Sequence, residues 1–210
     1  MKLMLVGASG LVGQQVLRQA LADPAVDCLI APTRKPLAAA ARLDNPIVDF
    51  EHLPADAPWW SVDAVICTLG TTMAQAGSQA AFRRVDYDYP LAVARLARSA
   101  GATAFVLNTA LGAAVDSRVF YNRVKGEVEQ AISQLDYPSL TLVRPSLLDG
   151  GPRPDSRPGE GVGLVFAKIL RPLLPRRYRA VSTEAVARTL LAATRAQAPG
   201  IHVVESEQIA

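Results

Sequence analysis

The sequence predicts an α/β fold, a doubly wound parallel Rossmann-type sheet with helices on both faces and a short C-terminal lid or substrate appendage. Three observations carry that prediction. Short apolar runs alternate with longer stretches whose apolar residues recur every three or four positions, the pattern of successive β-α-β units. A glycine-rich turn joins the first apolar run to the first periodic stretch. Glycine and proline then gather between Asp149 and Gly163, where the alternation stops.

Taken in order, Leu3 to Val6 reads as a strand, and Leu11 to Leu21 as a helix striped by Leu11, Val12, Val16, Leu17, Ala20 and Leu21. Val26 to Ala31 is the second strand and Pro46 to Phe50 a weaker third. Val62 to Leu69 is the fourth, carried by Val62, Val65, Ile66 and Leu69. Ser78 to Ala100 reads as one helix, with Phe82, Val85, Tyr89, Val93 and Leu96 spaced by three and four. Thr103 to Leu107 is the fifth strand, Val119 to Leu135 a helix, and Ser139 to Val143 the sixth strand. Parallel neighbours need long crossovers, and the intervening helices supply them. Beyond the Gly/Pro-rich loop come a helix near Val162 to Leu170 and a basic, proline-containing stretch. A helix from Ala185 to Thr194 follows, N-capped by Ser182 or Thr183, and then a last strand at Ile201 to Val204. The chain reads as a single domain, with a dinucleotide-binding core over 1–149 and a loop and helical appendage over 150–210.

Bulk properties narrow the function. A chain of 210 residues, half of them hydrophobic, can bury one sizeable core, which excludes a disordered chain. The net charge of +3 is too small to call for a nucleic-acid partner, yet suits an anionic cofactor. Cys28 and Cys67 each sit in an apolar run, as buried free thiols of a reducing compartment do. Met1 to Gly7 does not read as a signal peptide, and no run approaches the roughly 18 apolar residues of a membrane span. The expectation is a cytoplasmic protein without integral membrane contact, for which a homodimer is a compatible assembly.

The turn Gly7-Ala8-Ser9-Gly10-Leu11-Val12-Gly13 carries the first chemistry. One glycine permits the tight turn, the next lets the backbone approach a pyrophosphate, and the third lets helix and strand pack closely. The helix N-terminus adds free N–H groups and a positive dipole end. A purely structural β-α turn also favours glycine, and the position between a strand and a helix at the start of the chain is what favours binding. About 20 residues further on, an NAD site places Asp or Glu on the ribose 2′-hydroxyl. This chain has Thr33-Arg34-Lys35 there instead. A guanidinium grips a 2′-phosphate, so Arg34 points to NADP(H), the alternative being a solvated basic turn.

Tyr121 and Lys125 stand four apart and share one helix face, as a surface pair or as a catalytic one. An ammonium beside a phenol favours the phenolate and allows proton exchange with a carbonyl or alcohol. Their place after the fifth strand of a glycine-fingerprint chain favours the catalytic reading.

The order of motifs resembles that of the atypical short-chain dehydrogenase/reductases, and within them the Tat-interacting-protein-like branch of oxidoreductases. The likeness runs through Gly7-Ala8-Ser9-Gly10 with Gly13, Val48-Asp49-Phe50-Glu51, Leu69-Gly70-Thr71-Thr72, and Val85-Asp86 with Asp88-Tyr89. It continues in Tyr121, Val124-Lys125-Gly126-Glu127-Val128-Glu129, Arg144-Pro145 and Ser156-Arg157-Pro158-Gly159-Glu160. The resemblance implies NADP(H) held by the glycine turn and Arg34, with Asp49 and Phe50 beside the adenine. It also implies that Leu69, Gly70, Tyr121, Lys125, Leu148 and Arg157 line the cofactor. One departure stands out. The family usually ends the fifth strand with a Ser-Ser pair, one serine of which holds the substrate carbonyl, whereas this chain reads Asn108-Thr109-Ala110. Thr109 keeps a hydroxyl at the first place, and Ala110 has none at the second.

His52 and His202 lack a ligand pattern and read as surface residues, and no Cys/His spacing suggests a metal. Trp59-Trp60 reads as packing at a helix start. The basic stretch Arg171 to Arg179 reads as a solvated rim rather than a membrane or partner contact. The expected function is NADPH-dependent reduction of a small carbonyl compound, with Tyr121 as acid and Lys125 tuning it. Its rivals are an NADPH-sensing regulatory or scaffold protein with little turnover and an epimerase-like enzyme. The 67 residues after Val143 leave the epimerase little room for a nucleotide-sugar pocket.

Overall fold

Strand β1 (Lys2–Val6) shows how the two faces of the sheet arise from the sequence. Its successive side chains point to opposite faces. Leu3 and Leu5 join one apolar cluster while Met4 and Val6 join the other, all four without solvent exposure. The same division holds in β4 (Ala64–Cys67) and β5 (Ala104–Asn108), where Ile66 and Val106 face one core and Val65 and Phe105 the other. A strand buried on both faces reads as an unbroken apolar run, as in parallel sheets covered by helices on both sides.

The structure is a computed structural model and describes residues 1–149 and 175–209. Among the described residues the main sheet has seven strands in the order β3-β2-β1-β4-β5-β6-β9, with every neighbouring pair parallel. Here β2 is Cys28–Ile30, β3 Leu43–Asp44, β6 Ser139–Arg144 and β9 Gly200–Glu205. A second, two-stranded sheet pairs β7 (Leu148–Asp149) with β8 (Val181–Ser182). The chain reverses its direction of travel across the sheet between β1 and β4. That is the topological switch point, where open α/β sheets bind ligands beyond the carboxyl ends of their strands.

Helices fill the two faces as the periodicity requires. In α1 (Leu11–Ala22), Val12, Val16 and Ala20 pack into the first cluster. The helix Thr183–Ala196, labelled α6 below, lies beside α1 and buries Val186, Leu190 and Leu191 in the same cluster. Its N-cap is Ser182, whose hydroxyl accepts the Ala185 N–H. The opposite face is covered by α4 (Tyr89–Ser99) and α5 (Phe120–Ser133), through Val93, Ala94, Val128 and Ile132 among others. Thus α6 and β9 are built into the main body, which refines the boundary expected near residue 149.

Two expectations need correction. Residues 46–50 form no strand: the pairing partner of β2 lies earlier, at β3, and only an isolated bridge joins Thr33 to Ile47. Pro46 lacks an amide hydrogen and Asn45 spends its side chain on the neighbouring turn, so the ladder stops. The helix expected over 78–100 is interrupted. After the short α2 (Met73–Ala76), α3 (Gln79–Arg83) passes into one π-helical turn, Arg84–Asp88, before α4 begins. The paired tryptophans fall in a 3-10 turn, where Trp60 is buried and its Nε1 donates to Pro54 O at 2.7 Å.

Candidate functional site

A cavity of about 550 Å³ opens at the switch point, beyond the ends of β1, β2 and β4. Its lining gathers residues from remote parts of the sequence: Gly7, Ser9 and Gly10, then Arg34, Phe50, Leu69 and Gly70. All seven are residues expected at a dinucleotide site. Thr68 and Gln75, to which no sequence pattern points, also line it, as do Val85 and Tyr89.

The glycine turn is constrained at two points. Gly7 has φ +90°, and a Cβ there would lie 2.7 Å from the Thr68 carbonyl carbon, so β1 and the strand end at Thr68 meet through a missing side chain. A Cβ on Gly13 would lie 2.8 Å from the Gly7 carbonyl carbon, closer than atoms pack, so only glycine lets α1 sit this near the turn. The first turn of a helix leaves N–H groups without intrahelical partners. At α1 no side chain caps them and no acidic residue stands in the first turn. The cradle that a Cβ would fill, with unclaimed donors behind it, fits the pyrophosphate of a dinucleotide. Leu11, Val12 and Gly13 are not among the lining residues, and the Val12 side chain is core.

At the end of β2 the turn is held by Asn45. Its Nδ2 donates to Ala31 O and to Thr33 Oγ1, and its Oδ1 accepts the Leu37 N–H, all at 2.6–2.7 Å. Arg34 stands on this braced turn, exposed at the cavity rim, with no hydrogen bond or ion pair to any other described residue. Phe50 and Tyr89 form an apolar wall, their ring centroids 5.6 Å apart. Tyr89 donates to Glu51 Oε1, and burial with that acceptor pushes its phenol up to about 12, so it stays a proton donor at ordinary pH.

Helix α5 brings the second group. Lys125 is buried, and its ammonium lies 2.8 Å from Asp86 Oδ1 in an ion pair rather than an aligned hydrogen bond. Burial alone would lower the Lys125 pKa, but the Asp86 carboxylate, with Tyr121 next, more than offsets it, and the net direction is up. A Cβ on Gly70 would sit 3.6 Å from Lys125 Nζ, so the lysine lies directly behind the glycine wall of the cavity. Tyr121, half-buried, packs its ring against Phe82 with centroids 5.4 Å apart. The segment after β5 is laid along α5: Ala114 N–H donates to Asn122 O at 3.1 Å, and a Cβ on Gly126 would meet Ala114 Cα at 2.6 Å. Thr109, at the base of that segment, is buried, and its hydroxyl has no partner among the described residues. Ala110 beside it is buried too.

Some expected residues are not brought to the cavity. Asp49 is exposed and not among the lining residues. Its carboxylate accepts the Glu51 N–H at 3.0 Å and pairs with His52, which holds its pKa below the usual value. Leu148 pairs with Val181 in the small sheet and packs on the core around α6. Arg157, the loop around it, the helix expected at 162–170 and residues 171–174 of the basic stretch lie outside the described residues. The rest of that stretch, 175–179, forms a short turn at the surface. His52 and His202 are exposed. Among the described residues no group of three or more His, Cys, Asp or Glu could hold a metal ion, and no helix is long and apolar enough to cross a membrane. Asp86 was legible in the sequence only as part of a motif. Its signal was a carboxylate four residues after Phe82, on the inward face of a helix.

No family model matches the chain. It is 34% identical over 176 residues to the mitochondrial protein fmp52 of Emericella nidulans, covering 79% of this chain and 74% of that one. It is 36% identical over 167 residues to HTATIP2 of Rattus norvegicus, covering 77% and 68%. Among solved structures, MoeE5 in complex with UDP-glucose and NAD superposes with a TM-score of 0.73 at 15% identity, over 97% of this chain and 75% of that one. A Bacillus halodurans chain assigned to the NAD-dependent epimerases/dehydratases superposes with a TM-score of 0.70 at 16% identity, over 100% and 98%. These structures establish the fold. The relatives also overturn the cytoplasmic expectation, since the fungal Fmp52 proteins are named as mitochondrial. Lack of a signal-like run or a membrane span does not separate cytosol from organelle, so that expectation had no physical footing.

Proposed function

The chain belongs to the atypical short-chain dehydrogenase/reductase family that includes HTATIP2 and Fmp52, and from that premise we propose that it is a single-domain NADP(H)-binding oxidoreductase that reduces a small carbonyl compound. One observation supports this above the others. The glycine cradle, the unpaired Arg34 and the Gly70 wall backed by Lys125 all meet at one cavity at the switch point. Bound there, the nicotinamide nucleotide would supply the reducing equivalent. The α1 N-terminus would hold the pyrophosphate, Arg34 the 2′-phosphate, and Phe50 with Tyr89 the adenine. Lys125 would orient the ribose beyond Gly70 and favour the anionic form of Tyr121 after the phenol has given its proton to the carbonyl oxygen. Thr109, with its unclaimed hydroxyl, is the donor to that oxygen, in place of the serine absent at Ala110.

The buried methyl of Ala110 favours one other reading, an NADPH-sensing regulatory protein with little turnover. A screen of carbonyl compounds following NADPH absorbance separates the two. The enzyme reading expects Tyr121→Phe to bind NADPH within about threefold of the parent and to lose roughly 10²-fold or more in turnover. Lys125→Ala should damage both. A parent that binds NADPH but turns over no carbonyl, with Tyr121→Phe indistinguishable from it, supports the regulatory reading.

A further inference from the structure

One π-turn, Arg84–Asp88, separates α3 from α4 and contains a buried carboxylate, Asp86. A π-turn carries one residue more than an α-turn, and at about 100° per residue it rotates everything beyond it around the helix axis. Phe82 before the turn, Asp86 within it and Pro90 after it are all buried. Asp86 stands four residues after Phe82 and four before Pro90, so within the turn a carboxylate takes the inward place where an apolar side chain would ordinarily continue the stripe. Asp86 is 1% exposed. One of its oxygens lies 2.8 Å from Lys125 Nζ, and the other accepts the Thr71 N–H at 2.9 Å. Thr71 belongs to the cavity-lining loop with Leu69 and Gly70. Gly70 stands between the ion pair and the cavity: a Cβ there would approach Asp86 Oδ1 to 3.3 Å.

We propose that Asp86 is a positioning residue: its carboxylate keeps the Lys125 ammonium charged and fixed behind Gly70, and its second oxygen ties that pair to the backbone of the cavity-lining loop. The functional part rests on the cofactor reading above. A buried lysine without a counter-ion sheds its proton, because the low-dielectric interior disfavours the ammonium. The groups that face Lys125 are Asp86 from the π-turn, Tyr121 from its own helix and Cys67 from β4. The Cys67 thiol, pushed up to about 12 by burial, is neutral at ordinary pH and cannot replace the carboxylate. Asp86 is therefore the charged partner at Lys125, and the lysine's orientation and its charge both depend on it.

The test uses Asp86→Asn, whose amide oxygen still accepts the Thr71 N–H while the charge is gone, and Asp86→Glu, which restores the charge. Lysine side-chain NMR of the ligand-free proteins follows Lys125 from pH 6 to 11, with Lys125→Met identifying the signal. Calorimetric titration with NADPH at pH 7 and pH 9 follows binding. The parent should titrate above the ordinary lysine value and bind NADPH with affinities within about threefold at the two pH values. In Asp86→Asn, Lys125 should titrate below the ordinary value, and affinity should fall at least tenfold more at pH 9 than at pH 7 as the ammonium is lost. Asp86→Glu should recover the parental titration. A Lys125 titration unmoved by Asp86→Asn, or an affinity loss that does not depend on pH, overturns the proposal. If Asp86→Asn does not fold, the parent decides: Lys125 titrating at or below the ordinary value is the contrary result. A parent that does not bind NADPH sinks the cofactor reading, and the ligand-free NMR titration then judges the Asp86–Lys125 pair by itself.

Discussion

Thr109 and Ala110 show how much a single atom decides at this site. A buried hydroxyl with no hydrogen-bond partner costs about 1–3 kcal/mol in desolvation, and Thr109 carries such a hydroxyl in a buried position at the end of β5. If it served only packing, valine would fill the same volume without that penalty. Thr109→Val should therefore keep or raise the urea midpoint, while turnover falls about tenfold or more through loss of a donor to the carbonyl oxygen. Ala110→Ser should raise turnover. Urea denaturation and steady-state rates on the same preparations check both. A Thr109→Val protein that loses stability and keeps its turnover would make the hydroxyl structural. Residues of this kind were only partly legible. Arg34 and Lys125 stand out as charges at marked motif positions, whereas the local use of the Asp49 carboxylate, which is spent on its own turn, does not. A carboxylate two residues before a free N–H caps that turn locally, which no long-range motif reveals.

At the scale of elements, helix α5 explains why Lys-Gly-Glu-Val-Glu runs together. Lys125 faces the ion pair behind the cavity, and Gly126 admits the segment after β5. Glu127 meets Arg83 and Val128 enters the core. Glu129, buried, clamps Arg144 Nη2 at 2.6 Å at the end of β6, and Arg144 reaches Glu205 at 3.0 Å on β9. Four of the five residues hold neighbouring elements in place, and one reaches the site. Gly126→Ala tests this arrangement. Alanine raises intrinsic helix stability by about 1 kcal/mol, but its Cβ would lie 2.5 Å from Val115 N and 2.6 Å from Ala114 Cα, backbone that cannot swing aside. The clash should win, with a net loss of about 1–3 kcal/mol seen as a lower urea midpoint. A stabilised variant would show that the 109–115 segment is free to move off α5. Periodicity found the longer helices and strands, because burial of alternate faces writes itself into the sequence, but not α2, β7 or β8, which are too short to show it. It missed the π-turn, since one extra residue in a 23-residue pattern leaves the spacing of three and four intact on either side. It also misplaced β3, where two residues make too short a pattern to read.

For the whole molecule, the sheet order decides where the chemistry can lie. Reversal between β1 and β4 leaves a crevice that the loops after β1, β2 and β4 surround, so seven residues named from sequence meet at one cavity although they span residues 7–70. That convergence was legible because the glycine turn fixes which strand comes first and parallel crossovers fix the rest. The tail was less legible: α6 and β9 complete the core, and their role depends on packing against α1 and β6, partners more than fifty residues away. The central claim is that this cavity holds NADP(H) through the glycine cradle and Arg34. Calorimetric titration of the parent and of Arg34→Ala with NADPH and with NADH tests it most directly. The parent should bind NADPH at least tenfold more tightly than NADH, about 1.4 kcal/mol, and Arg34→Ala should lose most of that preference by weakening NADPH alone. Equal affinities in the parent, or a preference that survives Arg34→Ala, would contradict the account.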